Sequence, residues 1–331
     1  MKTPRQIFRL FAASSLAALL GAAAAQAETT LKAVSAFPSN LAFAQSFQGF
    51  VDLVNERGKG VVQIQMMGGP EVFPPNQQID AVSRGIVDMQ YGPATYSIGS
   101  LPEAYAFVGG TVDPVETRKN GGLDVMREAM LEKLGVYLLG RPDSDIRFYI
   151  YTTGEPKRTG DGGVDLSGMQ LRALPIYNKF FESLGAVPIS VPVADVYTGL
   201  ERNTFDGLGF PMIGIRDLSW DKFLKYRIDP GFFQGDLSIV LNPEAWEGLA
   251  PEAQELLTQA AADWEVQSGE HFTGLAKETE AEIAKAGVET VQLEGEAAEK
   301  FLDAAYETSW QALKESGSPY YDRLRETFYD R

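Results

Sequence analysis

From residue 28 onward, short apolar segments of period two alternate with longer segments whose apolar residues recur every three or four positions. This alternation predicts an α/β fold, because strands repeat every two residues and helices every 3.6. The expected strands cover residues 30–35, 61–67, 146–151, 169–174 and 288–293, and the expected helices cover residues 76–86, 251–285 and 296–315. Another helix is expected after Ser39, whose side chain is suited to cap it.

The segment that begins at Pro251 has the longest helical pattern of the chain and runs to about Lys285. At a rise of 1.5 Å per residue such a helix extends roughly 50 Å, longer than one small domain needs. Two readings remain open. The helix lies across two lobes, or it breaks near Gly269 or Gly274.

The first 27 residues have the three-part layout of a cleaved secretory signal. Lys2, Arg5 and Arg9 are basic, an apolar stretch follows, and Ala25-Gln26-Ala27 offers small residues for cleavage. An anchored N-terminal helix is the alternative, but it needs about 20 apolar residues. We therefore expect residues 1–27 to be removed and the mature protein to be soluble in the periplasm, not embedded in the membrane.

The amino-acid composition of the chain excludes some classes of binding partner. The chain has no cysteine, so it contains neither a disulfide nor a lipid-bearing cysteine, and its net charge is −16. A surface this acidic argues against nucleic acid and anionic lipid. An anionic ligand is also repelled by the overall charge, so its attraction must come from a few buried arginines.

Two expected strands carry such arginines. In the strand over 146–151, Arg147, Tyr149 and Tyr151 share one face because side chains alternate. In the strand over 169–174, Arg172 points opposite to Leu171. The two arginines converge if the strands are neighbours.

Catalytic motifs are few. The chain has one histidine, His271, and no cysteine, which excludes ordinary zinc sites and Cys-His nucleophiles. It has no Gly-x-Ser-x-Gly elbow and no glycine-rich phosphate loop, so no cofactor or metal is expected. A carboxylate pair for glycoside cleavage stays open among 45 acidic residues, without a particular pair standing out.

Three stretches carry a family resemblance. They are Gly69-Pro70-Glu71-Val72 with residues 77–89; residues 166–172, 184–188, 195–200 and 205–207; and Leu241-Asn242-Pro243 with Trp246 and residues 249–252. The second reads Leu-x-Gly-x-x-Leu-Arg, Leu-Gly-Ala-x-Pro, Val-Tyr and Asp-Gly in order. Together they resemble the extracytoplasmic solute-binding subunit of TRAP (tripartite ATP-independent periplasmic) transporters, a DctP-like family.

The resemblance implies a two-lobed periplasmic-binding-protein fold with a long helix spanning both lobes. One lobe would hold residues 28–146 and about 235–275, and the other residues 147–234 and about 276–331. A small organic acid would be clamped between them and passed to the small and large TRAP membrane subunits. The arginine after Leu-x-Gly-x-x-Leu, here Arg172, would bind the carboxylate.

Two departures from the family pattern bear on the ligand. Where members often have Asn-Pro, this chain has Phe210-Pro211, which replaces a polar contact with an apolar wall. The family's second ligand arginine aligns with Tyr149, and Arg147 lies two residues earlier. Arg147 either substitutes for it or lies on the surface. These changes favour a ligand with an apolar or aromatic portion.

Further candidates lie at strand ends and loops that face the cleft. They are Phe37, Glu71, Phe73, Tyr91 and Gln234. For the aromatic residues among them, ordinary packing in the hydrophobic core is an equally open alternative. Two alternative functions remain, a periplasmic ligand sensor for a signalling kinase and, from a different class, a secreted carbohydrate hydrolase.

Overall fold

The computed structural model describes residues 28–143 and 146–331, so the expected signal sequence lies outside the described residues. The strands are β1 Thr29–Ser35, β2 Val62–Gly68, β3 Met89–Pro93, β4 Tyr137–Gly140, β5 Phe148–Thr152, β6 Lys157–Arg158, β7 Val164–Asp165, β8 Gln170–Ala173, β9 Val187–Ser190, β10 Gly207–Pro211, β11 Tyr226–Asp229, β12 Leu237–Leu241 and β13 Glu289–Gln292. The helices are α1 Ala42–Arg57, α2 Pro75–Ser83, α3 Tyr105–Val108, α4 Pro114–Lys119, α5 Gly122–Leu134, α6 Asn178–Ser183, α7 Val193–Glu201, α8 Pro243–Glu247, α9 Pro251–Lys285, α10 Gly295–Glu315 and α11 Tyr321–Phe328.

The first lobe is built on a five-stranded sheet with the order β2-β1-β3-β12-β4. Strand β1 is parallel to β2 and β3, whereas β12 is antiparallel to β3 and β4. Helix α1 covers one face because Phe47, Phe50 and Val54 fall on one side of it and are fully buried. The parallel strands place their carboxyl ends at one edge of this sheet.

The second lobe is built on a six-stranded sheet with the order β13-β11-β5-β10-β8-β9. Strands β8, β9 and β10 are parallel to their neighbours in that group, and β5 runs antiparallel to β10 and β11. At Gly207 in β10 a Cβ atom would lie 2.2 Å from the Tyr151 carbonyl oxygen, so only glycine fits. The α/β, two-lobed prediction is confirmed.

Two crossing segments connect the sheets, one between β4 and β5 and the other between β11 and β12. They meet at an isolated antiparallel bridge between Arg147 and Gln234. Helix α9 is a third connection, 35 residues long and continuous through Gly269 and Gly274. Its first half packs on α1 and β4, and Glu280 in its last part binds Arg227 of β11. The helix therefore contacts both lobes.

Three details differ from the sequence-based expectations. Ser39 does not cap α1; the N-cap is Leu41, without a side-chain hydrogen bond, because the chain first turns through a Leu41 N–H to Pro38 O contact. Helix α2 ends at Ser83, before Gly85, whose φ of +66° is outside the helical region. Helix α11 was not expected, because eight residues are too few for a clear period. In the described part of the chain, no helix combines the length and apolarity needed to cross a bilayer.

A buried polar network lies at the first crossing segment. The Asp143 carboxylate accepts hydrogen bonds from the Tyr91 hydroxyl and, at 2.6 Å, from Ser46 Oγ. The Asp143 backbone N–H donates to Ser268 Oγ of α9 at 2.8 Å. Burial raises the pKa of Asp143 to about 6, although these hydrogen bonds act in the opposite direction. The network joins α1, β3, the crossing segment and α9.

We expect Asp143→Asn to change how stability depends on pH. The pKa of Asp143 is raised from 3.8 to about 6 in the folded state. The stability that protonated Asp143 contributes is therefore fully present below pH 3.8 and is lost as the pH rises through 6. The variant has no carboxyl group to titrate, so it keeps its stability over this range. Its free energy of unfolding relative to that of wild type should therefore rise by about 3 kcal/mol between about pH 4 and pH 8. Asparagine tolerates the φ of +64°. Denaturant unfolding of both proteins at both pH values measures the difference in free energy of unfolding between variant and wild type. The same difference at both pH values would show that Asp143 does not titrate in this range.

Candidate functional site

A cavity lies between the two lobes, where the strand ends of both sheets face each other. Its space is about 540 Å³, its opening to solvent included. The first lobe contributes Phe37, Phe43, Pro93, Thr95, Tyr96, Ile146, Gly235, Asp236 and Leu237, and the second contributes Phe148, Leu174, Ile176, Tyr177, Val193, Phe210 and Pro211. Ligand sites of α/β folds occur at such carboxyl ends of parallel strands.

Aromatic rings form much of the cavity wall. The centroids of Phe37 and Phe43 are 4.9 Å apart on the first-lobe side, and those of Phe148 and Tyr177 are 5.6 Å apart on the second. Phe210 packs edge-on against Trp220 at 4.7 Å, which fixes its ring at the end of β10. This wall suits a planar or apolar body more than a sugar, which needs many polar partners.

Arg172 lies beside this cavity in a groove that continues from it, and both spaces share Thr95, Tyr96, Leu174, Ile176 and Val193. The side chain is fully buried. Its Nε donates to Val191 O at 2.9 Å and its Nη1 to Gly209 O at 3.4 Å, whereas Nη2 has no partner in the part of the chain that the structure describes. Within residues 28–143 and 146–331, no carboxylate lies within 4 Å of the guanidinium.

The local sequence explains this position. In β8 the alternation of side chains sends Leu171 into the core of the second lobe and Arg172 to the other face. Strand β8 is an inner strand between β10 and β9, so both of its edges are hydrogen-bonded, and Leu171 and Arg172 on its two faces are both buried. Burial lowers the pKa of Arg172, and the nearby Tyr177 and Tyr96 act in the opposite direction. The guanidinium is a desolvated cation whose Nη2 amino group has no acceptor among the described residues.

Tyr177 offers a second unpartnered group at the same place. It follows β8 on a short 3-10 helix, Pro175–Tyr177, and its ring lines the cavity. Its buried hydroxyl makes no hydrogen bond to any residue that the structure describes, and burial raises the pKa of this hydroxyl. A bound carboxylate has acceptors for both the Tyr177 hydroxyl and Arg172 Nη2.

Of the residues that the sequence singled out, four lie at these spaces. Phe37, Phe210 and Pro211 line the cavity, and Arg172 lines the adjoining groove. Arg147 and Tyr149 do not line it, because Ile146 and Phe148 from the opposite face of the segment do. The Tyr149 ring lies 5.0 Å from the Arg227 guanidinium, and Arg147 forms the bridge to Gln234.

The other four residues lie outside the lining. Tyr91 is fully buried beneath the cavity, stacked on Phe47 at 4.9 Å. Gln234 is buried and donates to Gly110 O at 2.9 Å. Glu71 is exposed and accepts from the backbone N–H of Gly69, which lowers its pKa, and Phe73 packs at the edge of the first lobe's core.

Sequence reasoning missed Asp236, Thr95, Tyr96, Tyr177 and Phe148. Tyr177 had a usable signal, since it follows Arg172 by five residues in an aromatic, proline-led turn. Asp236 had a weaker one, as the only acidic residue in the segment 230–241 that returns to the first lobe. Thr95 and Tyr96 occupy the cavity because a short 3-10 helix, Ala94–Ser97, follows β3.

Two lobes joined by crossing strands, with a mostly apolar and aromatic cavity between them and an arginine without a carboxylate partner among the described residues beside it, are the features of a solute-binding protein. The family described as bacterial extracellular solute-binding protein, family 7 (DctP) matches residues 151–316. This chain belongs to that family, whose members are the extracytoplasmic solute-binding proteins of TRAP transporters.

Individual relatives are distant in sequence and close in fold. The 2,3-diketo-L-gulonate-binding periplasmic protein YiaO of Escherichia coli K12 is 25% identical, over 73% of this chain and 74% of that protein. The C4-dicarboxylate-binding protein DctB of Bacillus subtilis is 25% identical, over 71% and 68%. DctP7, a Bordetella pertussis receptor that binds pyroglutamic acid, has a TM-score of 0.75 at 17% identity, over 91% and 99%.

Proposed function

We propose that this protein captures a small organic anion in the periplasm and delivers it to the small and large membrane subunits of a TRAP transporter. The family supports the transport role. The named ligands of three relatives, 2,3-diketo-L-gulonate, C4-dicarboxylates and pyroglutamic acid, are all carboxylates, which supports the ligand class. The basic and apolar start of the chain supports export.

The observation that carries this proposal is Arg172. A buried guanidinium is costly unless an anion pairs with it, and no carboxylate of the described chain does so. A ligand carboxylate that accepts from Nη2 and from the Tyr177 hydroxyl removes this penalty. The ligand site is then the cavity with Phe37, Phe148 and Phe210 around an apolar body.

Binding proceeds by closure of the lobes in this proposal. The crossing segments around Arg147 and Gln234 act as the hinge, and residues 28–146 with about 235–275 move against the rest. The ligand contacts both lobes, so it stabilises the closed form over the open one. The membrane subunits then recognise the closed shape.

Hydrolysis has less support from the geometry. Glycoside cleavage generally requires two carboxylates on either side of the scissile bond. Among the described residues that line the cavity and its groove, Asp236 is the only carboxylate. We therefore interpret the site as one that binds its ligand and releases it unchanged.

The test compares carboxylic acids with their primary amides. We expect benzoate, phenylpyruvate, pyroglutamate or a related acid to raise the melting temperature, and its amide to have no effect, because the amide lacks the charge that Arg172 needs. Differential scanning fluorimetry and titration calorimetry measure this, and mass spectrometry identifies any acid that co-purifies. Equal stabilisation by acid and amide would contradict the proposal.

A further inference from the structure

A second charge without an ion-pair partner lies at the cavity. Asp236 comes from the second crossing segment just before β12, and its side chain lines the cavity with only 3% of its surface exposed. One carboxylate oxygen accepts the Thr95 N–H at 2.8 Å. No basic side chain in the described ranges lies within 4 Å of it. Burial raises the pKa of Asp236.

The hydrogen bonds of this group do not by themselves require a carboxylate. The groups that donate to this carboxylate are the N–H and the hydroxyl of Thr95 and the N–H of Asp236 itself. A neutral amide oxygen also accepts from such donors, at a smaller desolvation cost. Arg141 is a buried cation on the same side of the site: its guanidinium lies 4.0 Å from the Phe107 ring centroid and its Nη2 donates to Gly235 O, while its Nε and Nη1 have no hydrogen-bond partner among the described residues. It interacts with Asp236 only through space.

Arg172 and Asp236 therefore give the cavity opposite charges on its two sides. Asp236 belongs to the first-lobe wall and Arg172 to the second lobe. Both charges interact electrostatically with the same two side chains, Tyr96 and Tyr177, which line the cavity. The rings of Phe37 and Phe43 add faces that attract a cation.

This arrangement selects among organic acids. A dicarboxylate would place its second negative group near Asp236 or against aromatic rings, where it is repelled or desolvated. A simple monocarboxylate leaves Asp236 unpaired in the closed site. An acid that also carries a cationic nitrogen neutralises both buried charges at once.

We propose that the ligand of this protein is zwitterionic, with its carboxylate on Arg172 and a cationic nitrogen on Asp236, around a small ring or other apolar body. The inference rests on the proposed function, because it takes the carboxylate position from Arg172. Candidate compounds are amino acids, cyclic imino acids and their N-methylated betaines.

The test uses matched pairs that differ only in the nitrogen. L-Proline is compared with tetrahydrofuran-2-carboxylate, L-pipecolate with cyclohexanecarboxylate, L-phenylalanine with 3-phenylpropionate, and glycine betaine with 3,3-dimethylbutanoate. Titration calorimetry on the whole mature protein gives each affinity. We expect the zwitterion of at least one pair to bind about tenfold or more tightly than its partner.

Asp236→Asn separates this role from a structural one, since asparagine keeps an acceptor for Thr95. We expect it to weaken the zwitterion about tenfold or more and to leave the partner acid unchanged or tighter, because a repelling charge is gone. An unchanged melting temperature without ligand confirms folding. Equal weakening of both compounds, or des-amino acids binding as well as zwitterions, overturns the zwitterion proposal alone. No binding by any carboxylate overturns the proposed function as well.

Discussion

Arg172→Met should abolish ligand-induced stabilisation while leaving the ligand-free protein as stable as wild type or slightly more stable. Truncating one side of a buried charge pair costs about 2–5 kcal/mol of binding energy, so affinity should fall between roughly thirtyfold and several thousandfold. In the ligand-free protein the methionine removes a desolvated cation with only two carbonyl acceptors. Calorimetry with the tightest-binding acid and thermal unfolding measure both effects.

Two further variants are controls for the Arg172→Met result. Arg172→Lys keeps the charge and loses the forked donors, so we expect it to bind with intermediate affinity. Arg323→Met makes the same change in net charge at the exposed Arg323–Glu128 pair and should leave affinity unchanged. A comparable loss in Arg323→Met would show that the overall charge, rather than one guanidinium, governs binding.

The sequence predicts the fold well where the hydrophobic period agrees with the residues that begin or end a helix or strand. Pro251 and a continuous period give α9 its correct bounds, and alternation identifies β8 and the direction of Arg172, opposite to Leu171. Ser39 misleads because a cap depends on where the first helical hydrogen bonds form, which one side chain does not determine. The length of α9 likewise depends on tertiary support through Gly269 and Gly274, since glycine alone disfavours a helix.

The cavity is less predictable, because its lining comes from distant parts of the chain. Phe37, Phe148 and Tyr177 meet only after two sheets have been brought end to end. Alternation correctly separates Arg147 and Tyr149 from Ile146 and Phe148, but it does not indicate which set faces the cavity. That choice depends on the pairing of β5 with β10 and β11, in which Tyr149 lies near Arg227.

An acidic protein can bind an anion because the local charge at its site differs from the net charge of −16. The acidic groups are mostly exposed and screened over about 10 Å at moderate salt. Arg172 is buried, so its field acts at short range with little screening. The repulsive surface then slows the approach of anions more than it weakens the bound state.

Helix α9 is attached very differently to the two lobes, which leads to the last prediction. On the first lobe, the buried Glu265 accepts from Arg118 Nε and Nη2 at 2.7 and 2.8 Å and from the Arg141 N–H at 2.7 Å. On the second lobe, Glu280 binds Arg227 at 2.6 Å, but its side chain is 51% exposed and Arg227 is also bound by Asp229.

We expect Glu265→Ala to destabilise the protein by about 3–5 kcal/mol, because it leaves a partly buried arginine and a buried N–H without their acceptor. Glu280→Ala should cost about 1 kcal/mol or less, since Arg227 keeps Asp229 and the lost contact is solvated. The two substitutions are matched, as each removes one glutamate from the same helix, and denaturant unfolding compares them.

This difference in attachment bears on closure. If Glu265 holds α9 rigidly on the first lobe and Glu280 is replaceable, α9 moves with the first lobe while its contacts with the second exchange. Glu280→Ala should then alter ligand affinity through the balance of open and closed forms more than it alters stability. A larger loss of stability in Glu280→Ala than in Glu265→Ala would place the firm attachment on the second lobe and reverse this assignment.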